Sequence, residues 1–321
     1  MNSSVLATLG IFAGSVLVAS CGGVEPLVVP NGAAQSHQAS TSWAKSDAKR
    51  NALLYETNGN DGSVNAYSYP KGTLEVHLSG FKEPYGVCAD SAGNVWIVDD
   101  EASSVTEYAH GGTTPIRTLS DSGEYPAGCA VDPTTGNLAV MNYETTGRGP
   151  GGLSIYRKAK GKPKTYSDSA ISRGWFCSYD GNGNLFVDGY RSGSSGFQLA
   201  ELPHGGNTFT NISVNQGITV PGGVQWNGND VAVADENGPG NGVIYEFSIS
   251  GSTGTEVSAT TLDSSQNVHQ FWIDPAGNRV VVPSASLGTV GYWDFPAGGY
   301  PTKTISGLNI PEAVALSVGR K

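Results

Sequence analysis

The stretch Pro84-Tyr85-Gly86-Val87-Cys88-Ala89-Asp90-Ser91-Ala92-Gly93-Asn94-Val95-Trp96-Ile97-Val98-Asp99 reads as two short strands with a turn between them. Gly86 to Ala89 is the first strand, A. Asp90 to Asn94 is a turn in which Gly93 can take positive φ, and Val95 to Val98 is strand B. Ser104 to Tyr108 and Pro115 to Leu119 follow as strands C and D. Short runs rich in Val, Ile, Tyr and Trp, punctuated by Gly, Asn and Asp, are strand signals. No stretch after residue 50 sustains a helical period.

The same pattern returns along the chain. It reads Pro126-Ala127-Gly128-Cys129-Ala130-Val131-Asp132, then Gly174-Trp175-Phe176-Cys177-Ser178-Tyr179-Asp180, with weaker copies at Pro221 to Asn227, Val268 to Asp274 and Pro311 to Ser317. The turn-initiating residues Asp90, Asp132, Asp180, Asn227, Asp274 and Ser317 are 42, 48, 47, 47 and 43 positions apart. A repeat of this length made only of strands and turns predicts an all-β fold, a six-bladed β-propeller with four-stranded blades. The last copy stops after strand A. Its missing strands lie at the other end, where Asn51 to Tyr55 matches Asn94 to Val98 and Ser63 to Tyr67 matches Ser104 to Tyr108. One blade is therefore expected to be closed by three N-terminal strands and one C-terminal strand, which leaves no open edge between the chain ends. The propeller is expected over residues 50–318, long enough for one large core.

Gly is frequent, 45 of 321 residues, but it recurs at turn positions, so the chain reads as folded. The net charge is −10 and Lys and Arg are scattered without a basic stripe, which excludes nucleic acid and an anionic membrane surface as expected partners. A monomer is expected. Val5 to Ala19 is apolar but too short to span a bilayer, and it leads into Val18-Ala19-Ser20-Cys21-Gly22. That run resembles a bacterial lipobox, whose Cys is lipidated and becomes the mature N-terminus. Met1 to Ser4 lacks the Lys or Arg usual ahead of such a stretch. Residues 1–20 are thus expected to be a lipoprotein-type signal peptide, Cys21 the lipidation site and residues 21–49 a flexible tether. The protein is expected to be exported and held at the membrane, periplasmic or at the cell surface, through its lipid alone.

Three cysteines remain besides Cys21. Cys129 and Cys177 share a repeat position and Cys88 sits one residue later in its own copy, so Cys88 and Cys129 point to opposite faces of neighbouring blades. A disulfide between them would need Cα atoms within about 7 Å, whereas packed sheets are about 10 Å apart. Three small buried hydrophobes is the reading these spacings favour.

Strand B runs antiparallel to strand A, so the starts of the A strands and the ends of the B strands share one face. Around its opening the first A-strand column holds Tyr85, Ala127, Trp175, Gly222, His269 and Glu312, and the preceding column adds Glu83, Tyr125, Arg173 and Asn267. The B-strand ends add Glu56, Asp99, Asp100, Glu101, Asn142, Glu144, Asp188, Asp235 and Glu236, with Gly-rich loops rising at 145–152, 190–196 and 237–242. His269, Glu312 and Tyr85 come from consecutive blades and form the candidate catalytic arc, an imidazole, a carboxylate and a phenol able to transfer protons. Trp175 across the channel, with Arg173, Glu83, Asn267 and Asp99, forms the candidate ligand-binding set. The alternative is a channel plugged by ordinary side chains and water. The acidic rim could hold a divalent cation such as calcium, or be a solvated surface; no other metal or cofactor is expected. Gly147-Arg148-Gly149-Pro150-Gly151-Gly152 satisfies G-x-G-x-x-G but opens no helix, so it lacks the physics of phosphate binding. Asp180-Gly181-Asn182-Gly183-Asn184 begins like a calcium loop, yet Leu185 and Arg191 stand where Gly and Glu are required, so it reads as a hairpin turn.

The run Pro84 to Asp99 resembles NHL repeats and the related six-bladed superfamily, which includes the gluconolactonase and senescence-marker enzymes and the streptogramin lyases. The resemblance covers residues 50–318. In the lactonase branch a divalent cation is held by Glu, Asn and Asp, the Asn and Asp standing immediately before the Gly of a Pro-x-Gly lead-in. That place is Tyr85, Ala127 and Gly222 here, and only Glu312 fits the family's ligand set. The resemblance therefore implies the fold and disfavours a metal-dependent lactonase.

These readings point to a cell-envelope lipoprotein whose propeller binds a small-molecule or protein ligand. The alternative is a hydrolase or lyase with His269 and Glu312 as acid and base and Tyr85 positioning substrate. A binding module predicts these side chains unpaired in a wide channel. An enzyme predicts His269 and Glu312 within hydrogen-bond reach with a shifted pKa.

Overall fold

The computed structural model describes residues 41–236 and 241–319. The signal segment, Cys21 and most of the expected tether lie outside them. In the first repeat the four strands are Pro84–Ala89, Val95–Asp99, Ser104–Tyr108 and Pro115–Ser120, each antiparallel to the next. The turn forms as the residues dictate. The Asp90 carboxylate accepts the backbone N–H groups of Ala92 and Asn94 at 2.8 and 2.9 Å, and Gly93 has φ 85°. Asp180 does the same with Asn182 and Asn184, which makes that segment the expected hairpin turn.

The second repeat is a four-stranded sheet from Glu124–Val131 to Lys164–Tyr166, and the fifth runs from Trp272–Ile273 to Lys303–Ser306. The third, from Ile171–Tyr179 to Thr210–Val214, and the fourth, from Pro221–Trp226 to Thr253–Leu262, are joined into one eight-stranded sheet by a short parallel contact, Ser213 with Thr253 and Val214 with Gly254. Strands Leu53–Asn58, Ser63–Ser68 and Leu74–Ser79 pair with Pro311–Ser317 from the other end of the chain, so the expected exchange between termini is present. One feature differs from the expectation. Residues 41–50, all but the last read as tether, carry an outer strand Trp43–Ala44 paired to His77 and Val76, and a 3-10 turn Ala48–Arg50 whose Ala48 is fully buried. A strand of two residues is too short to leave a period-2 signal.

Strand alternation puts successive side chains into different interfaces. Val87 packs with Leu53, Tyr55 and Ile97 against the closing sheet, while Cys88 packs with Trp96, Val98, Leu138 and Val140 against the second repeat. Leu54, beside Leu53, turns the other way to meet Val281, Tyr292 and Val314 of the fifth and closing sheets. Each apolar cluster is thus shared by consecutive sheets, and the last of them closes a ring. Each fully buried aliphatic side chain contributes on the order of 1.5–3 kcal/mol.

Cys88 and Cys129 are bonded, with Cα atoms 5.7 Å apart, while Cys177 is a buried free thiol. This corrects the reading of three small hydrophobes. The 10 Å spacing holds between sheet faces, but the inner strands converge towards the axis. A Cβ built on Gly86 would lie 2.3 Å from the Ala127 carbonyl oxygen, and ones on Gly128 and Gly223 would lie 2.8 Å from those of Trp175 and His269. The Gly of the Pro-x-Gly lead-in is there because neighbouring backbones approach too closely for any side chain.

Candidate functional site

The fifth repeat departs from the others where it matters. Ahead of the short strand Trp272–Ile273, the chain pairs with its neighbour: Gln270 N–H donates to Glu312 O at 3.2 Å and Val314 N–H to Gln270 O at 3.0 Å. This parallel contact sets His269 beside Glu312. Thr57 ties in the next strand, its hydroxyl donating to Tyr85 O at 2.6 Å and accepting from Ala313 N–H at 3.1 Å. His269, Glu312 and Tyr85 therefore meet as the repeat column predicts.

His269 Nδ1 is hydrogen-bonded to Glu312 Oε2, and its Nε2 lies 3.4 Å from Glu236 Oε1, an ion-pair distance without hydrogen-bond geometry. Both carboxylate side chains are 7% exposed and the imidazole 13%. Burial alone pulls the imidazole pKa down; the close carboxylates of Glu236 and Glu312, the latter hydrogen-bonded to the ring, overcome it and raise it to about 10. The ring is stacked on its neighbours, with centroids 5.8 Å from Tyr85 and 6.1 Å from Trp175, and Tyr85 and Trp175 are 5.5 Å apart. Burial, then the carboxylates Glu312, Glu236, Asp100 and Glu83, hold the Tyr85 phenol well above its ordinary pKa. One layer further along the channel, Gln270 reaches across to Val87, donating to its carbonyl at 2.5 Å and accepting its N–H at 3.2 Å. Beyond lies a cavity of about 240 Å³, bounded among the described residues by six inner segments, from Val87–Ala89 to Val314–Leu316.

The other sequence-predicted residues are placed differently. Asp99 is spent on the backbone, its two oxygens accepting Lys82 and Glu83 N–H at 3.0 Å each. Asp235 holds Thr219 and Val220 in the same way, at 2.8 and 3.1 Å, and Asn58 accepts Asn309 N–H at 2.9 Å. These B-strand ends orient the approach to the A strand, so much of the acidic rim is structural. Among the described residues no group of three or more His, Cys, Asp or Glu is arranged to hold a metal ion. Asn267, at φ 51°, is hydrogen-bonded to the Ser286 hydroxyl and sits in its own loop. Glu83 is half-buried; burial first, then Glu101, Glu312 and Asp99, raise its pKa. Arg173 lies on the rim, 3.9 Å from Glu144 Oε2 and over the Tyr143 ring at 5.2 Å. Tyr143 continues to Trp175 at 4.7 Å between centroids.

Glu236 is the residue that sequence reasoning left out of the arc. It stands among the B-strand ends, directly after Val231–Asp235, and lies against the ring nitrogen opposite to the one that Glu312 holds. The pairing of His269 with Glu312 contradicts the unpaired channel expected of a binding module. It matches the geometry expected of an enzyme, but both imidazole nitrogens face carboxylates.

No protein-family model and no curated protein matches the sequence. Solved structures do resemble it. A chain from the crystal structure of a nidogen/laminin complex superposes with TM-score 0.67 at 11% identity, covering 84% of this chain and 100% of that one. A protein of unknown function from Bacteroides caccae gives TM-score 0.61 at 13% identity, covering 83% and 99%. At such identities the likeness is one of fold, and the fold is a β-propeller.

Proposed function

We propose that this chain is an exported lipoprotein anchored through Cys21, with a six-bladed, NHL-like propeller that binds a small-molecule or protein ligand at its channel mouth. Six inner segments around the cavity and the interlocking of consecutive sheets support the blade count. The observation that carries the binding reading is the stack of Trp175, Tyr85 and His269 over two buried carboxylates. It presents flat aromatic surface at a mouth whose charges are fixed in place, the composition of a recognition site. The nidogen/laminin complex, by its name an assembly of proteins, is consistent with a recognition role for this fold. The hydrolase or lyase reading has less support. Both imidazole nitrogens of His269 face buried carboxylates of the protein, so the ring turns no nitrogen towards a substrate.

Thermal-shift screening of small polar ligands and peptides tests the reading. A ligand that raises the melting temperature of the wild type should lose its effect in Trp175→Ala, because only binding to the folded state stabilises it. Ligand responses untouched by Trp175→Ala and Tyr85→Ala would place binding elsewhere.

A further inference from the structure

Beside Trp175 the rim carries two arginines on one carboxylate. Arg148 Nη1 donates to Glu144 Oε1 and Arg173 Nε lies 3.9 Å from Oε2. The Glu144 side chain is 5% exposed, while those of Arg148 and Arg173 are 76% and 51% exposed. Each guanidinium also lies over a tyrosine, Arg148 at 5.6 Å from the Tyr125 ring centre and Arg173 at 5.2 Å from that of Tyr143. Among the described residues neither guanidinium makes a further hydrogen bond, so most of their N–H groups face solvent. Two cations against one anion leave a local excess of positive charge on a chain of net charge −10. Other acids stand near, Asp100 and Glu124, each raised to about 7 by burial first and by other carboxylates second, and Glu83 and Glu101 beside Asp100, so the excess is confined to the two guanidinium groups and their outward N–H.

Arg148 is also held against its conformational preference. It has φ 64° in the loop Gly147-Arg148-Gly149-Pro150-Gly151-Gly152, where four of the other five residues are glycine. An L-residue adopts this left-handed region at a cost that glycine does not have. The side chain, not the backbone, is what arginine adds here. Strain of this kind concentrates where a side chain must be aimed.

We propose that this arginine–tyrosine rim, continuing into Trp175, is a subsite for an acidic glycan, its pyranose rings bearing carboxylate or sulfate. It rests on the reading of this face as the binding face and names the ligand's chemistry. A sugar ring packs against the open part of Trp175 beside the tilted Tyr143 ring, and its anion takes the guanidinium N–H groups that Glu144 leaves unused, in the planar geometry suited to oxyanions. A neutral sugar satisfies the aromatic faces and leaves the arginines without an anion.

The test is calorimetric titration of the protein with oligogalacturonate and with a heparin oligosaccharide, against a neutral cello-oligosaccharide and oligo-glutamate. At least one acidic glycan should bind, more weakly as salt rises, with the neutral sugar and the peptide inert. Arg148→Gly, which suits the local backbone, should weaken binding roughly tenfold without lowering the melting temperature, and adding Arg173→Gln should weaken it by about tenfold more. No binding of either acidic glycan overturns the proposal, as does binding indifferent to both arginine substitutions, or binding of oligo-glutamate alone. Binding of the neutral sugar that is lost in Trp175→Ala but kept in both arginine variants overturns this inference while leaving the channel-mouth reading intact. Acidic-glycan binding lost in the arginine variants but untouched by Trp175→Ala and Tyr85→Ala overturns both the stacking on Trp175 and the channel-mouth reading.

Discussion

His269 joins two strands through its charge, so its protonation is coupled to folding. Its folded pKa of about 10 exceeds the ordinary 6.5, so between those values the folded protein holds a proton that the unfolded chain releases. The stability from this clamp is complete below about pH 6.5 and is lost as pH rises towards 10. Glu56 acts in the same direction lower down. Burial raises it from 4.5 to about 8, against hydrogen bonds from Asn65 and Asn58, so ionisation of the unfolded chain erodes stability between those values. Denaturant melts should therefore give an unfolding free energy that falls from mildly acidic pH to pH 10. His269→Gln should flatten the part above pH 7 and Glu56→Gln the part below 8. An unchanged slope in His269→Gln would show that the imidazole is not the proton holder. At this scale the sequence was legible where the repeat column operates, which is how Tyr85, His269 and Glu312 were found together. It was illegible at Glu236, which reads like the other acids of the B-strand ends, and at Asp99, whose backbone role looks the same in sequence as an exposed acid.

At the scale of elements, close packing of inner strands explains both the Pro-x-Gly motif and the disulfide. Gly86→Ala places a methyl group 2.3 Å from a neighbouring carbonyl oxygen, and neither backbone can yield without moving a blade. The expected loss is about 3 kcal/mol, the upper end for overpacking, read from the shift in denaturant midpoint. A variant as stable as the wild type would mean the inner strands are further apart. The Cys88–Cys129 bond closes a loop of 41 residues between the first two repeats. Thiol counting on denatured, unreduced protein lacking Cys21 should give one free thiol, that of Cys177, and three would exclude the bond. The four strands of the first repeat were readable because each is a short apolar run between turn residues. The disulfide is not legible in the sequence, because the spacing of stacked sheet faces does not hold where the inner strands converge.

At the scale of the whole molecule, ring closure and the proposed lipid anchor fall to different parts of the N-terminal region. Lipidation at Cys21 predicts that Cys21→Ser moves the protein from the membrane fraction to the soluble fraction or leaves it unprocessed, and a wild-type protein without lipid mass at Cys21 ends that reading. Closure depends on Pro311–Ser317, which pairs with Leu53–Asn58 along its full length. Side chains of the first repeat reinforce it. His110 Nδ1 lies 2.7 Å from the Ser317 hydroxyl, which itself donates to Gly93 O, and Nε2 lies 2.9 Å from the Asn51 carbonyl oxygen. Deleting residues 310–321 would uncover Leu53–Asn58 as an exposed inner edge and remove Val314 from the cluster that joins the fifth and closing sheets. In a ring every interface is shared, so loss of one strand weakens two contacts and leaves a gap towards the axis. The truncated protein should aggregate or lose its single cooperative transition. If it melts as sharply and as high as the full chain, the strand shared between the termini is not what closes the ring.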